Sequence, residues 1–191
     1  MAYTTIDDPS AHFQTTLYTG NAGALNIVNG GNSDLQPDWV WVKHRGATRW
    51  HRLIDSQRGV SKNLYSNEDD AEGTEASVTA FNSDGFSLGT DTGCDGWNEE
   101  GDAHVAWQWK ANGGTTSTNS DGSQNSTVQV NSTAGFSIVK YTNPSSGTPF
   151  TLGHGLGKPP TFILAKQYDP SDSANNWGLW HQSLGFGKYL I

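Results

Sequence analysis

Six short β-favouring runs, each bounded by turn-forming clusters, constrain the fold of this 191-residue chain more than any other feature. They cover 13–18, 39–43, 53–55, 78–81, 86–88 and 104–110. Six strands within about a hundred residues is the spacing of an all-β, antiparallel sandwich. In His104-Val-Ala-Trp-Gln-Trp-Lys110 the period is two, which puts Val105, Trp107 and Trp109 on one face and His104, Gln108 and Lys110 on the other. The apolar set is expected to enter a core shared with Trp39 or Trp41. Trp39-Val-Trp-Val42 has no polar alternation and reads as a central strand. Asn82-Ser-Asp-Gly85 and Asp121-Gly122 mark turns, while Gly73 and dense like charge make 67–76 a loop.

The chain also resembles itself. A displacement of 123 residues places Phe13 on Phe136, Tyr18 on Tyr141, Gly30 on Gly153, Pro37 on Pro160, Trp39 on Phe162 and Lys43 on Lys166. After a three-residue insertion in the second copy, Leu53-Ile54 falls on Leu179-Trp180, Gly59 on Gly185, Lys62 on Lys188 and Leu64 on Leu190. Ordered matches that retain apolar character at strand positions point to an internal repeat. The expected organisation is an N-terminal arm at 1–10, a sandwich at 11–111, a Gly/Ser/Thr/Asn linker at 112–126 and a partial second unit at 127–191.

Charge is segregated. Lys43 to Lys62 carries six basic residues and one acid, whereas Ser66 to Asp102 carries eleven acids and neither Lys nor Arg. With a net charge of −8, the acidic stretch opposes phosphate, so nucleic acid is not an expected partner. The two segments are expected to face each other within the domain or across a subunit boundary. The lone Cys94 excludes an internal disulfide and an all-cysteine zinc site. No apolar run reaches the roughly 18 residues of a membrane-spanning helix, and the start of the chain has no basic, apolar leader, so neither membrane insertion nor secretion is expected.

Leu35-Gln-Pro-Asp-Trp-Val-Trp-Val-Lys43, Ile54-Asp-Ser-Gln-Arg-Gly59, Phe81-Asn-Ser-Asp-Gly-Phe86, His104 to Lys110 and Gly153-His-Gly-Leu-Gly-Lys-Pro-Pro160 together resemble a repeat domain of unknown function in virion proteins of marine tailed phages. The opening Met1 to Pro9 is similar to the start of such proteins. The resemblance implies a jelly-roll or concanavalin-like fold and a virion location after assembly in the host cytoplasm. It also implies a structural or adhesive, non-enzymatic role: a tail-fibre or adhesin module contacting host surface glycan, or a capsid decoration protein. Its implied partners are other virion proteins, including copies of itself. It supplies no catalytic motif.

Among the residues themselves, Trp97 beside Asp95 and Asn98 has no apolar neighbours and is expected to be an exposed glycan platform, with Trp50 and His51 as a second one. Asp91, Asp95, Glu99 and Asp102 occupy positions 1, 5, 9 and 12 of a segment with Gly96 at position 6, which echoes a calcium loop. Position 3 is Gly93 and position 12 lacks the bidentate Glu, so calcium is the one cofactor to consider and its pattern is incomplete. Glu100 and Asp102 lead into the 104–110 strand as a carboxylate pair would in a concanavalin-like glycan hydrolase, but Gly101 breaks the strand spacing. Asp55 and Arg58 are expected to hold a turn together, and the acidic surroundings of Cys94 disfavour a thiolate.

Overall fold

The computed structural model describes residues 5–75, 77–90, 96–144, 147–169 and 175–191. Eight strands build the first half up to the acidic loop: β1 (Phe13–Thr19), β2 (Leu25–Ile27), β3 (Trp39–His44), β4 (Arg52–Asp55), β5 (Lys62–Tyr65), β6 (Gly73–Thr74), β7 (Val78–Asn82) and β8 (Gly85–Leu88). β9 (Ala103–Trp109), β10 (Ser117–Asn119), β11 (Ser126–Asn131), β12 (Phe136–Lys140), β13 (Phe162–Ala165) and β14 (Gly178–His181) follow. The fold is all-β, and all the paired strands run antiparallel. All six expected runs are strands. Three short ones, β2, β5 and β6, were not foreseen, and β10 lies inside the segment read from composition as a linker.

Two sheets share the main core. A six-stranded sheet has the order β1-β9-β3-β4-β5-β6, and a three-stranded sheet the order β2-β8-β7. Between them are buried Val40, Val42, Ile54 and Ala106 of the first, and Ile27, Val78, Phe86 and Leu88 of the second. These small and β-branched side chains suit the roughly 10 Å gap between packed sheets. A double row of indoles would overfill it.

The consequence is a correction to the reading of β9. Its buried face is His104, Ala106 and Gln108, and its half-buried face is Val105, Trp107 and Trp109. The tryptophans do point the same way as Trp39 and Trp41, but away from this core. Polar side chains replace them inside: Gln108 donates to Thr16 Oγ1 at 3.1 Å and to Asn29 Oδ1, while its own Oε1 is buried with no hydrogen-bond partner among the described residues. Gln14 donates to the Ser33 carbonyl at 2.8 Å and accepts from Gly31 N at 2.9 Å. Tyr18 stacks on His104 at 4.9 Å and 12°. Burial of a polar group is tolerable where such bonds are made.

The oppositely charged segments meet within the chain. Arg58 pairs with Asp55 and Glu72, Arg52 with Glu75, Lys62 with Glu72 at 3.6 Å and Arg49 with Glu99 at 3.5 Å. Asp55 Oδ1 also accepts from Arg58 N at 2.8 Å, so the expected turn is present. Arg52, only 1% exposed, lies over the rings of Tyr65 and Trp97 at 5.4 and 5.8 Å.

The later strands join this body through specific bonds. Asp38, buried at the start of β3, accepts from the backbone N–H groups of Ala111, Asn112, Gly113 and Gly114 at 2.6–2.8 Å. Gly113 and Gly114 have φ of 59° and 81°, left-handed values that turn successive N–H groups onto one carboxylate. Gln129, buried in β11, donates to Ser56 Oγ at 2.9 Å, and Gln57 donates to the Thr127 carbonyl at 2.7 Å.

Candidate functional site

Cross-strand pairing fixes what the outward face of the large sheet presents, because partners in a ladder share a face. One row runs Phe13, Trp109, Trp39, Asp55; the next runs Thr15, Trp107, Trp41, Leu53; a third runs Leu17, Val105, Lys43. The rings form a connected ladder. Phe13 meets Trp109 at 4.9 Å, Trp109 meets Trp39 at 4.6 Å, Trp39 meets Trp41 at 6.0 Å and Trp41 meets Trp107 at 5.8 Å. Phe136 of β12 stacks on Trp39 at 6.0 Å and 11°, capping that end. At the other end Leu17 is 60% exposed.

His51 belongs to this ladder. Its ring lies 5.8 Å from Trp41, and its Nδ1 accepts the Trp41 indole N–H at 3.1 Å. Burial, and then the charge of Lys43, lower its pKa from the ordinary imidazole value. Trp50, 41% exposed, packs on Tyr65 at 5.1 Å. Along β1, which is an edge strand of the sheet, a groove of about 520 Å³ is lined by Phe13, Thr15, Leu17, Val28 and Gly31. Phe13 belongs to both the ladder and the groove, whose lining also takes Gln14 and Thr16 from the opposite face of β1.

The acidic loop is built differently from its sequence reading. Trp97 is 1% exposed and lies in the core, and Asn98 is buried with it, so neither forms a surface platform. The cause is local. Asn98 Oδ1 accepts from Asn21 N at 2.9 Å, and its amide donates to the carbonyls of Gly23 and Gly89, clamping two loops together. Tyr18 donates to the Trp97 carbonyl at 2.7 Å. Asp91, Cys94 and Asp95 lie outside the described residues. Glu99 and Asp102 do approach each other, together with His44.

His44 has its Nδ1 turned to the backbone N–H groups of Gly46 and Ala47, at 2.9 and 2.8 Å. The proton of the neutral ring is therefore on Nε2, which donates to Asp102 at 2.9 Å. That bond, followed by one with Glu99, holds the Asp102 carboxyl below the usual carboxylate range. A metal at Nε2 would have to displace this proton. In the described half of the expected calcium loop, Asp102 is engaged by His44 and Glu99 by Arg49.

Loop closure here tolerates no side chain at residue 20. A Cβ added to Gly20 would lie 2.1 Å from the Glu99 carbonyl oxygen. Gly20 N donates to Asp102 O at 2.9 Å, and its own carbonyl accepts from Gly101 N at 3.0 Å. Gly20→Ala is expected to destabilise the fold by about 2–4 kcal/mol through forced backbone displacement. Chemical denaturation checks this, and an unchanged midpoint would show that the loop yields freely.

Of the expected second platform, His51 contacts the ladder through Trp41, whereas Trp50 packs on Tyr65. Sequence reasoning missed Trp41 and Trp107 as surface residues because their hydropathy matched a core. Residues 8–191 match the family described as domain of unknown function DUF7483. No curated protein and no solved structure matches the chain.

Proposed function

Since the chain belongs to the DUF7483 family, whose description carries no activity, we propose its function from geometry: a non-enzymatic, glycan-binding module on a jelly-roll or concanavalin-like sandwich, of the tail-fibre or adhesin kind. The observation that carries this reading is the half-buried indole ladder beside the β1 groove. Pyranose rings present apolar C–H faces that stack on aromatic rings, while their hydroxyls need nearby donors and acceptors. Trp41, Trp107 and Leu17 supply the first, and Thr15 and the β1 edge the second. The virion setting, with assembly in the host cytoplasm, rests on the motif resemblance.

The non-enzymatic part is supported by the fate of the carboxylates. On the ladder face Asp55 is in register with the tryptophans, and Arg58 holds its carboxylate. Asp102 is engaged by His44. A retaining hydrolase instead needs two carboxyl groups about 5–5.5 Å apart across a substrate groove. The pairing of Arg49, Arg52, Arg58 and Lys62 with acids also argues against nucleic acid.

One observation favours a second reading, that of a decoration or assembly module contacting other virion proteins or copies of itself. Exposed apolar side chains gather at the end of the chain, with Phe162 51% and Phe186 96% exposed. A glycan array with the wild type and Trp107→Ala separates the readings. Binding by the wild type, weakened at least tenfold (about 1.4 kcal/mol) in a variant that remains folded, is the expected result. Absence of any glycan signal, with self-association instead, would favour the assembly reading.

A further inference from the structure

The β13–β14 pair repeats the β3–β4 pair in register. Trp39↔Asp55, Val40↔Ile54, Trp41↔Leu53 and Val42↔Arg52 have the counterparts Phe162↔His181, Ile163↔Trp180, Leu164↔Leu179 and Ala165↔Gly178. Each β13 residue is 123 positions beyond its β3 equivalent, and each β14 residue 126 beyond its β4 equivalent. These are the displacements of the internal sequence alignment, including its three-residue insertion. The next pairing repeats too: Leu53↔Leu64 in β4–β5 becomes the bridge Leu179↔Leu190. So does the bond that opens the ladder, Ser56 N to Asp38 O at 2.8 Å and Gln182 N to Thr161 O at 2.9 Å. A slip of one residue in any of these would break the correspondence.

The two pairs differ in what lies on their other side. β3 is bounded there by β9, with Trp109 opposite Trp39, Gln108 opposite Val40 and Trp107 opposite Trp41. Among the described residues, β13 pairs only with β14, and Phe162 and Ile163 are 51% and 45% exposed. Because Thr161 O accepts from Gln182 N, just beyond β14, alternation turns the N–H groups of Phe162 and Leu164 to the unpaired edge.

We propose that the β13 edge is a strand-acceptor site. Its occupant is an extended, antiparallel segment with the alternation of β9, an aromatic residue every second position separated by small or amide side chains. The register on β3 transfers directly, so that the occupant's two indoles face Phe162 and Leu164. Main-chain bonds to an edge supply affinity, and alternate side chains supply specificity. This proposal is independent of the glycan reading.

The probe is a synthetic peptide with the sequence of Ala103 to Lys110, added to the full chain, with amide hydrogen exchange as the readout. Exchange across 161–166 is expected to slow at least tenfold, with β1 unaffected. A peptide of the same composition with its alternation scrambled is expected to leave exchange unchanged. Leu164→Pro removes an edge-facing N–H, and Ala165→Lys places a charge on the exposed edge, so each is expected to abolish the slowing. The lysine variant serves if proline disrupts the hairpin. Three results would overturn the proposal: no slowing at β13, equal slowing by the scrambled peptide, or slowing confined to the β1 edge. Protection of β13 that rises with protein concentration in the absence of peptide would also overturn it, since a second copy would then be the occupant.

Discussion

Replacing Trp97 by alanine is expected to destabilise the protein by about 3–5 kcal/mol, the range for deleting a large aromatic side chain from a core. Trp97 packs with Val40, Val42, Phe86 and Leu88, and Arg52 stands over its ring. Trp107→Ala is expected to cost only about 1–2 kcal/mol, because that side chain is half-buried against Trp41 on the outer face of the sheet and gives up less buried surface than Trp97 does. For a chain of this size each kcal/mol moves the melting temperature by roughly 2–4 °C, so calorimetry on the two variants resolves the difference. A larger loss from Trp107→Ala than from Trp97→Ala would mean that the two faces of the sheet have been assigned the wrong way round.

Asp38→Ala is the second large expected effect, about 3–5 kcal/mol, since hydrogen bonds to a charged group contribute more than neutral ones and several donors lose their acceptor together. Four backbone N–H groups and the Ser56 hydroxyl converge on this buried carboxylate. It is also the point where β3 holds the path of the chain toward β10. Hydrogen exchange should therefore accelerate across 111–131 in the variant, beyond any global change. Uniform acceleration of every strand would instead show that Asp38 acts on the fold as a whole, without a local role as a clasp.

The existence of the strands was legible because period two and turn chemistry are local properties. Which face of β9 is buried was not, because that depends on what lies over it. Hydropathy assigned Val105, Trp107 and Trp109 to the core. The small β2-β8-β7 sheet instead covers the side bearing Val40, Val42 and Ala106, whose volumes fit the space between two sheets. The cue available in sequence was weak: Trp39-Val-Trp-Val42 offers a large and a small apolar row, and only the small row leaves room for a second sheet. Trp97 was misread for the opposite reason. Its neighbours in sequence are polar, but Asn98 spends its polar groups on the backbone of Gly89 and of Asn21 and Gly23, the last two more than seventy residues away. The Asp55 to Arg58 turn was legible because its partners are three residues apart, and the pairing of basic with acidic segments followed from their charge alone.

The most direct test of the aromatic ladder as the binding face is fluorine NMR of the protein labelled with 5-fluorotryptophan, titrated with a glycan identified on the array. The resonances of Trp41 and Trp107, assigned by single substitutions, are expected to shift with saturation while that of Trp97 stays in place. Saturable binding that leaves Trp41 and Trp107 unshifted, or that moves only tryptophans off the ladder, would contradict the account.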